Sequence, residues 1–260
     1  MHIVIITFAP LPSYGKSHII SFLAMGLSKR GKRVLIIDLD PKLFITSFFV
    51  RQSKVYPGIN SFQSIDIISL PFFEYSFSTL NYNILSRMME DTKIDTSSYD
   101  FVFIDFKPGV SIVSMNAARF SNFILSTIST AKIKEFREGV QSIFQWISDF
   151  NLDLKYLGNI IIAETKPEEL AQQAYLGIID ALKPLSDERI EEVKKRIYPF
   201  NGSLDFVNFS TIIPVRKDLN DLKFTDKKKY PPVYRLFNYE RTRNIINGLV
   251  DEFLYRVNTT

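Results

Sequence analysis

Residues 2–40, HIVIITFAPLPSYGKSHIISFLAMGLSKRGKRVLIIDLD, restrict what this chain can fold into more than any other stretch. An apolar run over residues 3–8 ends in a loop of Pro, Ser and Gly. The loop closes with Gly15, Lys16 and Ser17 and opens into an amphipathic stretch over 18–30. A second apolar run, 34–37, leads directly to Asp38 and Asp40. Strand, loop, helix, strand and acidic pair make one βαβ unit with its polar side chains gathered at strand ends.

The rest of the chain continues the alternation. Further apolar runs occupy 65–70, ending at Pro71; 101–104, ending at Asp105; 123–128; 158–163; and 211–213, ending at Pro214. Runs that do not alternate with polar residues suit strands buried on both faces, as in a parallel sheet. Helical spacing patterns 79–90, 131–149, 168–182 and 186–197, the last with Ser186 placed to cap it. It returns over 240–257, where Ile245, Ile246, Leu249, Val250, Phe253 and Leu254 form one stripe. There are no repeats, low-complexity tracts or flexible linkers. The pattern predicts one α/β domain over residues 1–260: a doubly wound, mostly parallel sheet flanked by helices. Such sheets bind ligands beyond the carboxyl ends of their strands. Here those ends carry the loop closing at Ser17, Asp38, Asp40, Asp105 and Pro214.

Composition removes several chemistries. The chain has no cysteine, which excludes disulfides, thiolate-bound clusters, Cys-zinc sites and thiol nucleophiles. Its two histidines, His2 and His18, leave no room for a His-rich metal site or a Ser-His-Asp triad. A net charge of +4 is compatible with a nucleic-acid or acidic-membrane partner without requiring one. No basic segment precedes a long apolar one at the N-terminus. The first apolar run is far shorter than the ~20 residues that span a bilayer. The expectation is a cytoplasmic protein without stable membrane insertion.

Gly15-Lys16-Ser17 between a strand and a helix has a direct chemical reading. A phosphate there meets several backbone N–H groups and the positive end of a helix dipole. Lys16 neutralises terminal phosphates, and the Ser17 hydroxyl binds Mg²⁺. A bare GKS is weak evidence. Aspartates at the ends of two later apolar runs make it much stronger.

From Gly15 to Pro41 the chain resembles the ParA/MinD family of deviant P-loop ATPases. LAMGLSKRGKRVLIIDLDP matches the family's Lys/Arg-Gly-Lys turn and its strand ending D-x-D-P. YDFVFIDFKPG, 99–109, is similar to the Walker B strand and its P-G turn. Residues 65–71 resemble the strand ending in Pro, and TIIPVRKDL, 211–219, the strand and loop bordering adenine. The resemblance covers residues 1 to about 255 and is weakest over 43–64 and 183–209.

The resemblance implies a P-loop NTPase fold, with ATP and Mg²⁺ as cofactors. By it, Lys16 contacts the β- and γ-phosphates, and Tyr14, Gly15, Lys16, Ser17 and His18 supply amides. Ser17 and Asp105 hold Mg²⁺, Asp38 lies beside the metal, and Asp40 orients the attacking water. Pro214 and Val215 offer backbone to the base. Phosphoryl transfer needs little beyond such positioning and charge neutralisation. It also implies a homodimer, a ParB-like partner protein, and nonspecific DNA binding in plasmid or chromosome partition. From Pro214 onward there are ten Lys and Arg against six Asp and Glu. Arg216, Lys217, Lys223, Lys227, Lys228, Lys229, Arg241 and Arg243 are the candidate phosphate contacts.

The chain also departs from the family loop, K-G-G-x-G-K-[ST]. Those positions hold Leu11, Pro12, Ser13, Tyr14, Gly15, Lys16 and Ser17. The first lysine, which reaches the partner subunit's nucleotide in the family, is Leu11, and two glycines are lost. Pro10 and Pro12 have no N–H. A hydrogen bond to a charged group is worth roughly 1.5–3 kcal/mol, so one lost donor weakens binding about tenfold. Lys42 and Lys107 are the cations positioned to substitute for the missing lysine. Two rival readings remain: a non-hydrolysing binding or scaffold module, favoured by Leu11 and Pro12, and a MinD-like positioning ATPase. The C-terminal segment lacks the Lys-rich face of a membrane anchor, which disfavours the latter.

Overall fold

The computed structural model describes residues 3–10, 15–50, 58–69, 85, 89, 94–129, 133–149, 153–163, 166–214 and 240–259. Several sequence expectations therefore lie outside the described residues. They are the loop 11–14, Val215, and the basic positions Arg216, Lys217, Lys223, Lys227, Lys228 and Lys229. Of the helix expected over 79–90, Leu85 and Met89 are described, both helical and buried.

One sheet organises the chain. Its strands are β1 (Val4–Phe8), β2 (Val34–Asp38), β3 (Gly58–Phe62), β4 (Ile65–Ser69), β5 (Phe101–Asp105), β6 (Phe123–Ser129) and β7 (Lys155–Ile162). They lie in the order β3-β4-β2-β5-β1-β6-β7. Every neighbouring pair is parallel except β3 with β4. The helices are α1 (Lys16–Lys29), α2 (Phe44–Phe49), α3 (Ile112–Phe120), α4 (Ile133–Asp149), α5 (Pro167–Leu182), α6 (Asp187–Lys194) and α7 (Glu240–Asn258). This is the expected doubly wound, mostly parallel α/β architecture.

The unbroken apolar runs follow from burial on both faces. In β2, Val34 and Ile36 pack into the core with α1, α2 and α7, while Leu35 and Ile37 face the opposite core. In β5, Phe101 and Phe103 join the first core and Val102 and Ile104 the second. A third cluster fills the space between β6, β7, α4 and α5. The C-terminal stripe meets α1: Ile246, Leu249, Val250 and Phe253 are all fully buried.

Several features differ from the sequence reading. The strand expected over 211–213 is a single bridge, Ile162 to Ile213. Glu252 on α7 draws the chain off the ladder just before it, accepting from Thr211 N at 3.0 Å and Thr211 Oγ1 at 3.1 Å. Strand β7 starts at Lys155, three residues before the expected Gly158. Gly158 instead marks a close approach, at φ 118°, where a Cβ would collide with the Val207 carbonyl. Helix α3 has no counterpart in the sequence reading; a reciprocal Ser111–Ser114 capping box starts it. In 43–64, α2 and the antiparallel edge strand β3 occupy a stretch with no sustained period. Helix α6 begins after Ser186 as expected, but the Ser186 side chain makes no cap hydrogen bond.

Candidate functional site

Gly15 is the N-cap of α1, at φ 97°. That left-handed backbone suits glycine, and a Cβ there would lie 2.6 Å from Ile162 Cδ1. The first amide tied back along α1 is Ile19 N–H, to Gly15 O at 2.8 Å. The amides of Lys16, Ser17 and His18 precede it in the first turn, where helix geometry supplies no intrahelical acceptor. The chain therefore sets three donors and a helix dipole at the carboxyl end of β1.

Strand register brings the aspartates to the same edge. Asp38 and Asp105 are paired positions at the ends of β2 and β5, and both are fully buried. Lys16, also buried, reaches across to them. Its Nζ lies 2.9 Å from Asp105 Oδ1, donates to Phe106 O, and sits 4.2 Å above the centre of the Phe106 ring. Ser17 Oγ donates to Asp105 Oδ2 at 2.7 Å. Apart from the Lys16 ion pair, Asp105 Oδ1 has no hydrogen-bond partner among the described residues.

Asp38 is held by backbone and side chain together. Its Oδ2 accepts from Thr46 N at 3.0 Å and Thr46 Oγ1 at 2.6 Å, and its Oδ1 from Asp40 N at 3.3 Å. Burial, and next the charge of Asp105, push the Asp38 carboxyl up to about 7; the Thr46 and Asp40 donors oppose this. Asp40 is nearly buried, and its Oδ1 accepts from Lys42 N at 2.9 Å. Lys42 and Lys107, the two cations expected to substitute for the missing lysine, are both solvent-exposed.

Two adjoining buried carboxylates, one of them with an oxygen bonded only through the Lys16 ion pair, and a serine hydroxyl form a hard-oxygen set that suits Mg²⁺. Among the described residues, no three acidic or histidine side chains gather into a metal cage. Mg²⁺ does not need one, since it commonly takes one or two carboxylates and completes its shell with phosphates and water.

His18 departs from a simple phosphate-side role. Its imidazole stands edge-on to Phe44 at 4.9 Å and near Phe48 at 6.2 Å and Phe22 at 6.4 Å. Burial among these rings lowers its pKa. Its side chain is packing between α1 and α2, and its backbone N–H is what faces the loop end of the helix. Sequence reasoning does not find Phe106, Thr46 and Ser69, which hold Lys16 and Asp38. Phe106 follows Asp105 directly and could be found by position. Thr46 sits in the aromatic run FITSFF, which has no pattern pointing to it.

Beyond Ile162, a cleft of about 640 Å³ is lined by Ala163, Pro167, Ile212, Pro214 and the first turns of α7. Pro214, the residue expected on the base side, lines this cleft. Arg241 also lines this cleft and, like Arg243, is solvent-exposed. Arg243 lies close enough to Lys29 for its charge to add to the desolvation that lowers the Lys29 pKa. The ends of α1 and α7 therefore present neighbouring cations.

A glycine-started helix carrying Lys and Ser, set against strand-end aspartates in a parallel sheet, defines a P-loop nucleotide-binding fold. In fold the chain is similar to solved ParA-type structures. The structure of pNOB8 ParA bound to nonspecific DNA superposes with a TM-score of 0.65 at 22% identity, covering 99% of both chains. A putative plasmid partition protein from Borrelia burgdorferi B31, bound to AMPPNP, superposes with a TM-score of 0.63 at 20% identity, over 98% of this chain and 100% of that one. No protein-family model matches the chain. Among curated proteins it is similar to a putative tyrosine-protein kinase EpsB from Ralstonia solanacearum, 28% identical over 160 residues. That match takes in 55% of this chain and spans 21% of the relative's length. No helix among the described residues is long and apolar enough to cross a membrane.

Proposed function

We propose that this chain is a ParA-type ATP-binding protein, a slow Mg²⁺-dependent ATPase that acts in DNA partition. The observation that carries the reading is the convergence of Lys16, Ser17, Asp38, Asp40 and Asp105 at one sheet edge. In this reading Lys16 and the first-turn amides of α1 hold the β- and γ-phosphates. Ser17 and Asp105 hold Mg²⁺, with Asp38 behind it. Bound Mg²⁺ supplies charge neutralisation at the phosphates. Asp40, two residues beyond the end of β2, orients the attacking water, and the cleft at Pro214 takes the base. The AMPPNP bound to the Borrelia protein and the DNA bound to pNOB8 ParA support the ligand classes. Nucleotide-dependent dimerisation, nonspecific DNA binding through Arg241, Arg243 and the basic 216–229 stretch, and a ParB-like partner complete the proposal.

The loop sequence supports a second reading, a nucleotide-responsive scaffold without turnover. Leu11 stands where the family has its partner-reaching lysine, and Pro12 has no amide to offer. Calorimetry with ATP and Mg²⁺ tests both readings, and no binding at millimolar nucleotide overturns both. Turnover by the wild type that is lost in Asp40→Ala selects the enzyme; binding without turnover selects the scaffold.

A further inference from the structure

Asp38 is the acidic group at the site with the most elaborate support, and that support comes from residues outside the phosphate loop. Thr46 Oγ1 lies 2.6 Å from Asp38 Oδ2 and 2.8 Å from Ser69 Oγ. Thr46, Ser69 and Asp38 are all fully buried. The Thr46 hydroxyl has a single hydrogen, and it is donated to Asp38 Oδ2. The short Thr46–Ser69 contact is then made by the Ser69 hydroxyl donating to Thr46. The chain of bonds runs one way: Ser69 to Thr46 to Asp38. Each donation polarises the next, which strengthens the bond that reaches the carboxylate.

This chain joins three elements. Asp38 ends β2, Ser69 ends β4, and Thr46 lies on α2. With its backbone N–H added, Thr46 places two donors on Oδ2. Oδ1 is left with the longer contact from Asp40 N, at 3.3 Å. Oδ2 is therefore fixed and saturated, and Oδ1 is the oxygen with capacity to spare. Asp105 stands directly opposite, and two like charges in a buried site repel. Without its donors, nothing would hold the Asp38 carboxyl group in this orientation.

We infer that Thr46, backed by Ser69, is a positioning residue for Mg²⁺ at this site: it fixes the Asp38 carboxyl through Oδ2 and leaves Oδ1 as the oxygen available to the metal. The inference rests on the Mg²⁺–nucleotide reading given above. Loss of outer-shell partners of this kind commonly weakens metal binding about tenfold or more. Thr46 also sits six residues after Asp40, so the anchor that sets Asp38 fixes the far end of the turn carrying Asp40.

The test is Mg²⁺ titration of binding of a fluorescent, non-hydrolysable ATP analogue to the full chain, with the same binding measured in EDTA. Thr46→Val keeps the shape and the backbone donor and removes the hydroxyl. The Mg²⁺ half-saturation point is expected to rise about tenfold, with metal-free binding unchanged. Thr46→Ser is expected to restore it. A purely structural role for Thr46 would lower both kinds of binding together. Ser69→Ala leaves Thr46 in place and carries the test should Thr46→Val fail to fold; it is expected to raise half-saturation about two- to threefold, since the Thr46 bond is weakened but still made. Unchanged half-saturation in the folded variants, with normal wild-type binding, overturns the inference alone. Absence of Mg²⁺-dependent analogue binding in the wild type overturns it together with the nucleotide reading.

Discussion

Asp38 and Asp105 stand directly opposite one another on the β2–β5 ladder, both fully buried, with one cation, Lys16, ion-paired to Asp105. This pairing makes stability depend on pH in a defined direction. The Asp38 carboxyl is pushed up to about 7 from 3.8, first by burial and then by Asp105. The folded state thus keeps a proton that the unfolded chain releases. The associated stability is fully present below about pH 4 and is lost as pH rises through about 7, amounting to a few kcal/mol. Urea unfolding should show a lower midpoint at pH 8 than at pH 5. In Asp38→Asn that difference should shrink, because the group no longer titrates. An equal pH slope in both proteins would rule out Asp38 as its source. Saturating Mg²⁺ and ATP should also reduce the slope in the wild type.

The contacts of Lys16 predict a contribution to stability beside its proposed phosphate contact. It is buried against Asp105, the Phe106 carbonyl and the Phe106 ring. Removing one partner of a buried ion pair costs about 3–5 kcal/mol, because the other charge is left uncompensated. Lys16→Met should therefore lose nucleotide binding and also lower the unfolding free energy by about that amount. The double variant Lys16→Met/Asp105→Asn discriminates the cause. It should regain part of the stability and none of the nucleotide binding. A double variant no more stable than Lys16→Met would mean the loss comes from packing and not from the stranded carboxylate.

Why the sheet is readable in the sequence and parts of the site are not follows from the same residues. Val34 to Asp38 and Phe101 to Asp105 are buried on both faces, so their sequences stay apolar until the aspartate that ends each one. The strand end and the candidate site residue are then the same signal. Lys16 and Ser17 follow a glycine that the backbone requires, which again ties chemistry to a visible constraint. Thr46 has no such tie. It belongs to a six-residue helix too short to show a period, among phenylalanines that pack against His18. The bridge at Ile213 reads as a strand in the sequence because the side-chain bonds to Glu252 that displace Thr211 come from 41 residues away. Local patterns do not report interactions of that range.

The cations at the ends of α1 and α7 give the DNA proposal a local test. Arg241 and Arg243 are exposed, and Arg243 adjoins Lys29. If both arginines bind phosphates, Arg241→Ala/Arg243→Ala should weaken binding to unrelated duplexes by similar factors. The slope of log affinity against log salt should fall by about two, one for each phosphate left unneutralised. A gel-shift series across salt concentrations reads both quantities. An unchanged slope would place the DNA face elsewhere on the chain. Because Arg241 also lines the cleft at Pro214, Arg243→Ala alone separates DNA binding from any effect on nucleotide.

Arg256 explains how the far edge of the sheet is closed without another full strand. It is buried on α7, and its Nη1 donates to Leu157 O at 2.6 Å. Its Nη2 donates to Asn208 O at 2.7 Å and to Glu252 Oε1 at 2.9 Å. The guanidinium lies between the Tyr198 ring at 4.3 Å and the Phe209 ring at 3.9 Å. One planar group thus ties β7, the irregular stretch over 197–213 and α7 together, and no ammonium can make that set of interactions. Glu252 supports the same arrangement: backbone donors from Ser210 and Thr211, and then Arg256, hold its carboxyl below the usual range against the cost of burial. Arg256→Lys should lower the unfolding free energy by about 2–4 kcal/mol, measured in urea, because buried acceptors lose charged donors. Surface Arg189→Lys, whose pair with Asp149 is half-exposed, should change stability by less than about 1 kcal/mol. The Pro214 side of the cleft hangs on the same stretch of chain, so Arg256→Lys should also weaken ATP binding without altering its Mg²⁺ half-saturation. A shift in that half-saturation would instead connect Arg256 to the metal side of the site.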